Sequence, residues 1–179
     1  MTIVEGDGIR LRRAADADVD FVVELLNDEE VQRFLAASRS RDRQGILEDV
    51  RGSTETPGES GLFVIEVPQD GGWARAGMME FSVANRRSRI AHLSGLAIHP
   101  DFRGRRLADH ATRLFQRHLL FDLDFHRLEL ECYGFNERAI AHAERSGYVR
   151  EGVKRKAYWR HGEWVDGILF GLIREDLET

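Results

Sequence analysis

Cysteine is almost absent from this 179-residue chain: Cys132 stands alone. No intramolecular disulfide can form, and Cys132 falls in an apolar-alternating run where it is expected to pack quietly in a strand. The chain has seven histidines, but none has zinc-type spacing with Cys or a carboxylate, so no metal is expected. No apolar run reaches the ~18 residues of a membrane span. Residues 1–8 lack the basic start and apolar core of a signal peptide. An excess of positive charge is missing too: the formal net charge is −5, which argues against a nucleic-acid partner. There is no internal repeat and no low-complexity linker. What remains is 42% apolar and 32% charged, enough to bury a real core. These features point to one domain over residues 1–179, soluble and cytoplasmic, with no membrane partner.

The three prolines punctuate the pattern at Pro57, Pro68 and Pro100. Ile9 and Leu11 alternate with Arg10 and Arg12, which predicts a first strand. Asp16 is expected to cap a helix carrying Phe21, Leu25 and Leu26. A second short helix is expected over 29–35, and a polar segment over 38–52 is compatible with another. Residues 53–60 read as a loop. Strands are then expected over 62–67, 73–83 and 90–99, a three-stranded antiparallel meander joined by turns at 69–72 and 84–89. Leu107, Ala111, Leu114, Phe115 and Leu119 lie on one face of a long helix. Leu128, Leu130 and Cys132 alternate as a strand. Asn136 caps a helix that runs to Gly147, and strands over about 149–159 and 163–173 close the chain. Strand–helix–strand units amid hairpins define an α/β (α+β) class: a mixed, mostly antiparallel sheet of about seven strands with helices on both faces.

The most informative segment is residues 96–111, LAIHPDFRGRRLADHA. A strand ends, a short polar loop follows, and a long helix begins. Unpaired N–H groups and the positive end of the helix dipole meet Arg103, Arg105 and Arg106 there. Physically this is either a site for a phosphate-bearing ligand or a solvated basic loop opening a surface helix.

Ile98-His99-Pro100-Asp101-Phe102 followed by Arg103-Gly104-Arg105-Arg106-Leu107-Ala108 resembles the pyrophosphate-binding motif of the GNAT acetyltransferases, V-x-P-x-[YF] then [RQ]-x-x-G-x-[GA]. Arg103 matches the first position of its second part and Ala108 the last. Arg106 stands where that motif has its middle glycine. Downstream, Asn136-Glu137-Arg138-Ala139-Ile140 and Glu144-Arg145-Ser146-Gly147-Tyr148 resemble N-x-x-[AS]-I and E-[KR]-x-G-[FY] of the same family. Where many members carry a tyrosine four residues before that glycine, this chain has Ala143, as in the subgroup resembling RimJ/RimL and the spermidine acetyltransferases. The opening Gly8-Ile9-Arg10-Leu11-Arg12 and the closing segment around Gly152, Tyr158 and Gly162-Glu163-Trp164 are similar to that subgroup, so the resemblance spans nearly the whole chain.

The resemblance implies a GNAT fold and an acetyl-CoA-dependent N-acetyltransferase acting on a primary amine by direct attack. It implies coenzyme contacts from Leu96, Ala97, Ile98, Arg103, Gly104, Arg105, Arg106, Leu107, Ala108, Asn136 and Ala139. A backbone N–H near residues 96–98 is implied to hold the thioester oxygen. The run Ala91-His92-Leu93-Ser94-Gly95-Leu96-Ala97 is similar to the A-H-x-H-x-L-A stretch of arylalkylamine N-acetyltransferases. That makes His92 a candidate base and places Ser94 on the same strand face. Tyr133 is a candidate acid, and Glu80 and Glu131 are further base candidates. His142 is expected on an exposed helix face. His92 can equally be a partly buried structural histidine, and Asn136 a plain helix cap.

Asp16, Asp18, Asp20, Glu24, Asp28, Glu29 and Glu30 crowd the first helices. They would either attract a cationic acceptor, such as a polyamine or a protein N-terminus, or form a solvated face. Arg39, Arg41 and Arg43 follow and blur that signal. The open edge of the last hairpin offers a surface for a homodimer. The alternatives to a transferase are a GNAT-like CoA-binding sensor or partner protein without turnover, and a structural adaptor.

Overall fold

Alternating apolar residues build an eight-stranded sheet in the computed structural model, which describes residues 2–34 and 42–177. The strands are β1 (Ile3–Gly6), β2 (Ile9–Arg13), β3 (Ser60–Gln69), β4 (Gly72–Asn85), β5 (Ile90–Ile98), β6 (Arg127–Tyr133), β7 (Val149–Arg160) and β8 (Glu163–Ile173). Their spatial order is β1-β2-β3-β4-β5-β6-β8-β7, and every pairing is antiparallel except β5 with β6. The expected meander is β3-β4-β5. The sheet exceeds the expected seven strands because β1 pairs with β2 through a turn at Asp7-Gly8, with φ of 53° and 74°.

The helices are α1 (Val19–Leu26), α2 (Glu29–Phe34), α3 (Arg43–Glu55), α4 (Leu107–Arg117), α5 (Glu137–Arg145) and the short α6 (Arg174–Leu177). They pack on both faces of the sheet. On one face, Leu107, Ala111 and Phe115 of α4 and Ala143 of α5 bury against Leu11, Phe63, Phe81, Leu93, Leu128 and Phe170. Phe115 meets Phe63 edge-on, with ring centroids 5.0 Å apart. Each such large side chain contributes about 1.5–3 kcal/mol on leaving water. On the other face, Val22 and Leu25 of α1 and Ile46 and Val50 of α3 bury against Leu62, Val64, Met78 and Ala97.

Two details differ from the sequence reading. Asp16 does not cap α1. It lies in a 3-10 turn with its carboxylate on Arg51, 2.7 Å away, while Asp18 reaches back to the Ala15 N–H at 2.8 Å. Asp18 stands at the entry to α1 without a side-chain bond to the helix, and Arg12 and Arg75 neutralise it where it is buried. Helix α3 runs past Gly52 into the expected loop, since the buried Ser53 hydroxyl accepts from Arg13 and from the Leu62 N–H. Its cap is Asp42, accepting from Gly45 N–H at 2.8 Å. The expected helix positions at Leu35 and residues 38–41, including Arg39 and Arg41, lie outside the described residues.

The crowded acids of the first helices are largely taken up by arginines. Asp16 pairs with Arg51, Asp18 with Arg12 and Arg75, Asp20 with Arg43, and Asp28 and Glu30 with Arg103. Asp18 and Asp28 are enclosed by these pairs, whereas Asp16, Asp20 and Glu24 stay exposed to solvent.

Candidate active site

The sheet forks between its two parallel strands. β5 and β6 pair only at Ile90↔Arg127, Ala91↔Leu128 and His92↔Glu129. Beyond that point β5 stays with β4 as far as Gly77↔Ile98, and β6 stays with β8 as far as Tyr133↔Gly167. The divergence coincides with a bulge in β5. Met78 faces Ala97 and Glu80 faces Ser94, so Gly95 and Leu96 together oppose Met79. Gly95 has φ 64°, and a Cβ there would lie 2.5 Å from Glu80 Oε1. Only glycine fits. Past the bulge, the His99 N–H donates to Ala76 O on β4 at 2.8 Å, whereas Ile98 O points away and accepts from Arg103 Nε at 3.1 Å. By strand alternation, the peptide groups of Leu96 and Ile98 face the fork, and that of Ala97 faces β4.

At the mouth of the fork, the loop after β5 leads into α4. The first bonds of the helix run to Arg106 O, from Asp109 N–H at 3.1 Å and His110 N–H at 3.2 Å. The N–H groups of Arg106, Leu107 and Ala108 therefore precede the helical ladder. Gly104 has φ 78°, and Arg106 has φ 56° and ψ 22°, the left-handed region. That conformation explains why a glycine suits this position. The Arg106 side chain is exposed and has no hydrogen bond or ion pair to a described residue. Arg105 sits over Phe102, its guanidinium carbon 5.4 Å from the ring centre.

Arg103 is placed differently from the expectation. Its guanidinium binds Ile98 O, Asp28 at 2.9 Å and Glu30 at 2.5 Å. It is turned toward α2 and engaged by protein groups on every side.

On the far side of the fork, Asn136 caps α5 by accepting from the Ala139 N–H at 3.1 Å, and is itself buried. The helix ends as expected at Gly147. Gly147 N–H bonds Glu144 O and Tyr148 N–H bonds Ala143 O, both at 3.1 Å. His142 is not on an exposed face. Its ring lies between α4 and α5, with Nδ1 2.8 Å from Asp109 and Nε2 3.0 Å from Thr112. A polar side chain that faces a polar partner on another helix leaves no trace in a single helix's apolar spacing.

His92 and Ser94 share one strand face, as expected. A cavity of about 230 Å³ brings His92 together with Glu129, Glu131 and Lys154, and is also lined by Arg127 and Glu151. Burial pushes the His92 imidazole below its usual pKa, and the nearby Glu129 and Glu131 act against that. Ser94 and Tyr133 do not line this cavity. Ser94 is exposed opposite Glu80. Tyr133 is buried in an aromatic stack, parallel to Phe135 at 5.4 Å and edge-on to Tyr158 at 5.5 Å.

Lys154 and Tyr158 stand beside Glu131, a placement that the sequence reading did not give them. Glu131 Oε2 takes the Lys154 ammonium at 2.7 Å, and its Oε1 is buried with no partner among the described residues. The neighbouring Glu131 carboxylate and burial both raise the Tyr158 pKa. Glu131 has room because Gly167 lies beside it, where a Cβ would come within 2.1 Å of Oε1. Cys132 is half-buried, and burial pushes its thiol up to about 11. Among the described residues, no group of three or more His, Cys, Asp or Glu is placed to hold a metal ion.

A mixed sheet forked between two parallel strands, with a helix start at the fork's mouth, defines the class of acetyltransferase folds that the sequence motifs resemble. A model of the acetyltransferase (GNAT) domain matches residues 9–149, and the chain belongs to the GNAT acetyltransferase family. It is 31% identical over 83 residues to the SPbeta prophage-derived uncharacterized N-acetyltransferase YokL of Bacillus subtilis (strain 168), across 46% of this chain and 47% of that protein. The chain thus matches about half the length of this curated relative.

Solved structures share the fold. Spermidine N-acetyltransferase from Vibrio cholerae in complex with CoA and spermine superposes with a TM-score of 0.85 at 19% identity, covering 97% of this chain and 100% of that one. RimL, a ribosomal L7/L12 alpha-N-protein acetyltransferase in complex with coenzyme A, gives 0.81 at 19% identity over 96% and 98%. Ribosomal-protein-S5-alanine acetyltransferase from Vibrio fischeri gives 0.82 at 17% identity over 98% of both chains.

Proposed function

We propose that the chain is an acetyl-CoA-dependent N-acetyltransferase that acetylates a primary amine in a ternary complex. The observation that carries this reading is the fork: the Gly95 bulge turns the Leu96 and Ile98 peptides toward a gap whose mouth is the N-terminal end of α4. Backbone N–H groups from Gly104 through Ala108 suit the coenzyme's diphosphate. The Asn136 cap and Ala139 form the opposite wall for its pantetheine arm. The Leu96 or Ile98 N–H suits the thioester oxygen, stabilising the charge that develops there as the amine attacks.

The reaction forms a nitrogen–carbon bond and breaks the carbon–sulfur bond. The attacking ammonium must first lose a proton, and the thiolate gains one on leaving. His92 is the base in this reading: its lowered pKa keeps it neutral at pH 7 and able to accept. Ser94, two residues along the same face, suits a relay through water. Tyr133 is the candidate acid, and its enclosure by Phe135 and Tyr158 fixes its ring. Around His92 the three carboxylates Glu129, Glu131 and Glu151 outnumber their partners Arg127 and Lys154, and this acidic balance favours a cationic acceptor. The structural neighbours named for spermidine and for ribosomal proteins support an amine of either kind, small polyamine or protein N-terminus.

The test is a calorimetric titration with acetyl-CoA, followed by thiol release with a panel of polyamines and N-terminal peptides. Micromolar binding with amine-dependent release is the expected result. Binding without release from any amine would move the protein to the CoA-binding sensor reading, and absence of binding would overturn both.

A further inference from the structure

We propose that Arg103 is a positioning residue: with Asp28 and Glu30 it fastens α2 across the mouth of the fork, and so sets the acceptor side of the cleft against the coenzyme side. Only the kinetic part of this proposal rests on the acetyltransferase reading.

Helix α2 has little apolar burial to hold its place: Val31 packs only partly buried against the core under α1 and α3. It has six residues, none of them buried, and a helix this short is marginal on its own. Three arginines from three other elements grip it instead. At its start, Asp28 Oδ1 accepts both from the Val31 N–H, as the helix cap, at 3.0 Å and from Arg103 at 2.9 Å. In its first turn, Glu30 gives one oxygen to Arg103 and the other to Arg138 of α5. At its end, the Arg160 guanidinium donates to Gln32 O and Arg33 O at 3.4 Å each. Phe34 packs 6.0 Å from Phe135 and lies under Arg138.

Arg103 follows β5, on one side of the fork. Arg138, Phe135 and Arg160 belong to the β6–β8 side. Helix α2 therefore bridges the gap, and Glu30 is the residue that touches both banks. The Arg103 fork is fully used in this bridge, with Nε on Ile98 O and each terminal nitrogen on a different carboxylate. The arrangement suits the planar guanidinium and not a point-charge ammonium. Arg103 is the main cause of the lowered Asp28 pKa, in line with a persistent pair. A coenzyme phosphate would have to displace two carboxylates to reach it, whereas the N–H groups that open α4 precede the helical ladder and have no helical acceptor to give up.

The experiment compares wild type, Glu30→Gln, Arg103→Lys and Arg103→Ala in three measurements: the acetyl-CoA Kd by calorimetry, the KM for the amine, and hydrogen exchange of residues 29–34. Glu30 is a surface residue, so Glu30→Gln keeps the shape and the fold while removing the charge. Glu30→Gln is expected to raise the amine KM about fivefold, consistent with the loss of a part-exposed ion-pair network. It should also speed exchange across 29–34 and leave the coenzyme Kd within about twofold. Arg103→Ala should do the same more strongly, and Arg103→Lys should not rescue it. Tighter acetyl-CoA binding in Glu30→Gln would overturn the proposal, since the carboxylates would then be masking a phosphate ligand. Unchanged exchange over 29–34 would overturn it as well. If the wild type turns over no amine, the acetyltransferase reading fails on its own, and the exchange data still decide whether Arg103 fastens α2.

Discussion

The two banks of the fork are built from different materials. The coenzyme bank, β5 and the start of α4, works through its backbone: a glycine bulge, a left-handed residue before the helix and a row of unpaired N–H groups. The acceptor bank works through side chains from distant segments. Glu30 reaches Arg103 and Arg138 across 73 and 108 positions of sequence, and Glu131 reaches Lys154 across 23. Backbone devices need particular residues at fixed offsets, so they leave motifs. Side-chain bridges need only some charge at each end, so they leave none.

The sharpest way to break this comparison is at Gly95. Replacing it with alanine forces a side chain into Glu80 and into a left-handed conformation, which costs about 1–2 kcal/mol and turns the Leu96 peptide from the fork. A lost oxyanion donor lowers kcat by about 100-fold or more. We expect a kcat loss of that order for Gly95→Ala, with coenzyme affinity kept within a few-fold and the fold intact by circular dichroism. If kcat survives, the bulge is not what aims the catalytic peptide, and the coenzyme bank loses its backbone character.

His92 sharpens the comparison from β5 itself, where it works through a side chain and not through the backbone. Its imidazole pKa lies below the ordinary value because burial disfavours the charged form. A base must be neutral, so activity should be full near pH 7 and fall as pH drops through that lowered pKa. The acidic limb of kcat/KM should accordingly lie below the usual histidine range near 6.5. His92→Ala should lower kcat by about 100-fold and erase that limb. A limb that persists in the variant would hand the proton to another group, and Glu129, the cross-strand partner of His92, and Glu131, beside it in the cavity, are the candidates.

How far the sequence could be read follows the same division. The meander, the α4 face, the Asn136 cap and the Gly147 stop were legible because alternation, helical spacing and capping act within a few residues. Strand β1 was missed, although Asp7-Gly8 between two short apolar pairs is a hairpin signal; its residues Ile3 and Glu5 stay exposed, so alternation there was weak. Arg103 was readable as a motif residue, but its direction depended on Asp28 and Glu30, which no local pattern connects to it. His142 was misplaced for the same reason: Asp109 and Thr112 lie on another helix. The cavity at His92 needed Lys154 from a strand more than 60 positions away, brought in by the β6-β8-β7 order.

The smallest effect is expected at Arg106, where a backbone device carries the wrong residue for its conformation. Arginine holds φ 56° at the entry to α4, a region that glycine enters without a Cβ penalty. Arg106→Gly should therefore stabilise the protein by about 0.5–1 kcal/mol, roughly 1–4 °C in Tm for a chain of this size. The same change removes a cation that has no described partner and stands beside the exposed N–H groups. If the backbone alone holds the diphosphate, acetyl-CoA affinity should stay within about threefold while Tm rises. A loss near tenfold, about 1.4 kcal/mol, would mean that the side chain itself contacts a phosphate. In that case this chain keeps a strained residue at the helix start for its charge, and the coenzyme bank is less purely a backbone site than its motif implies.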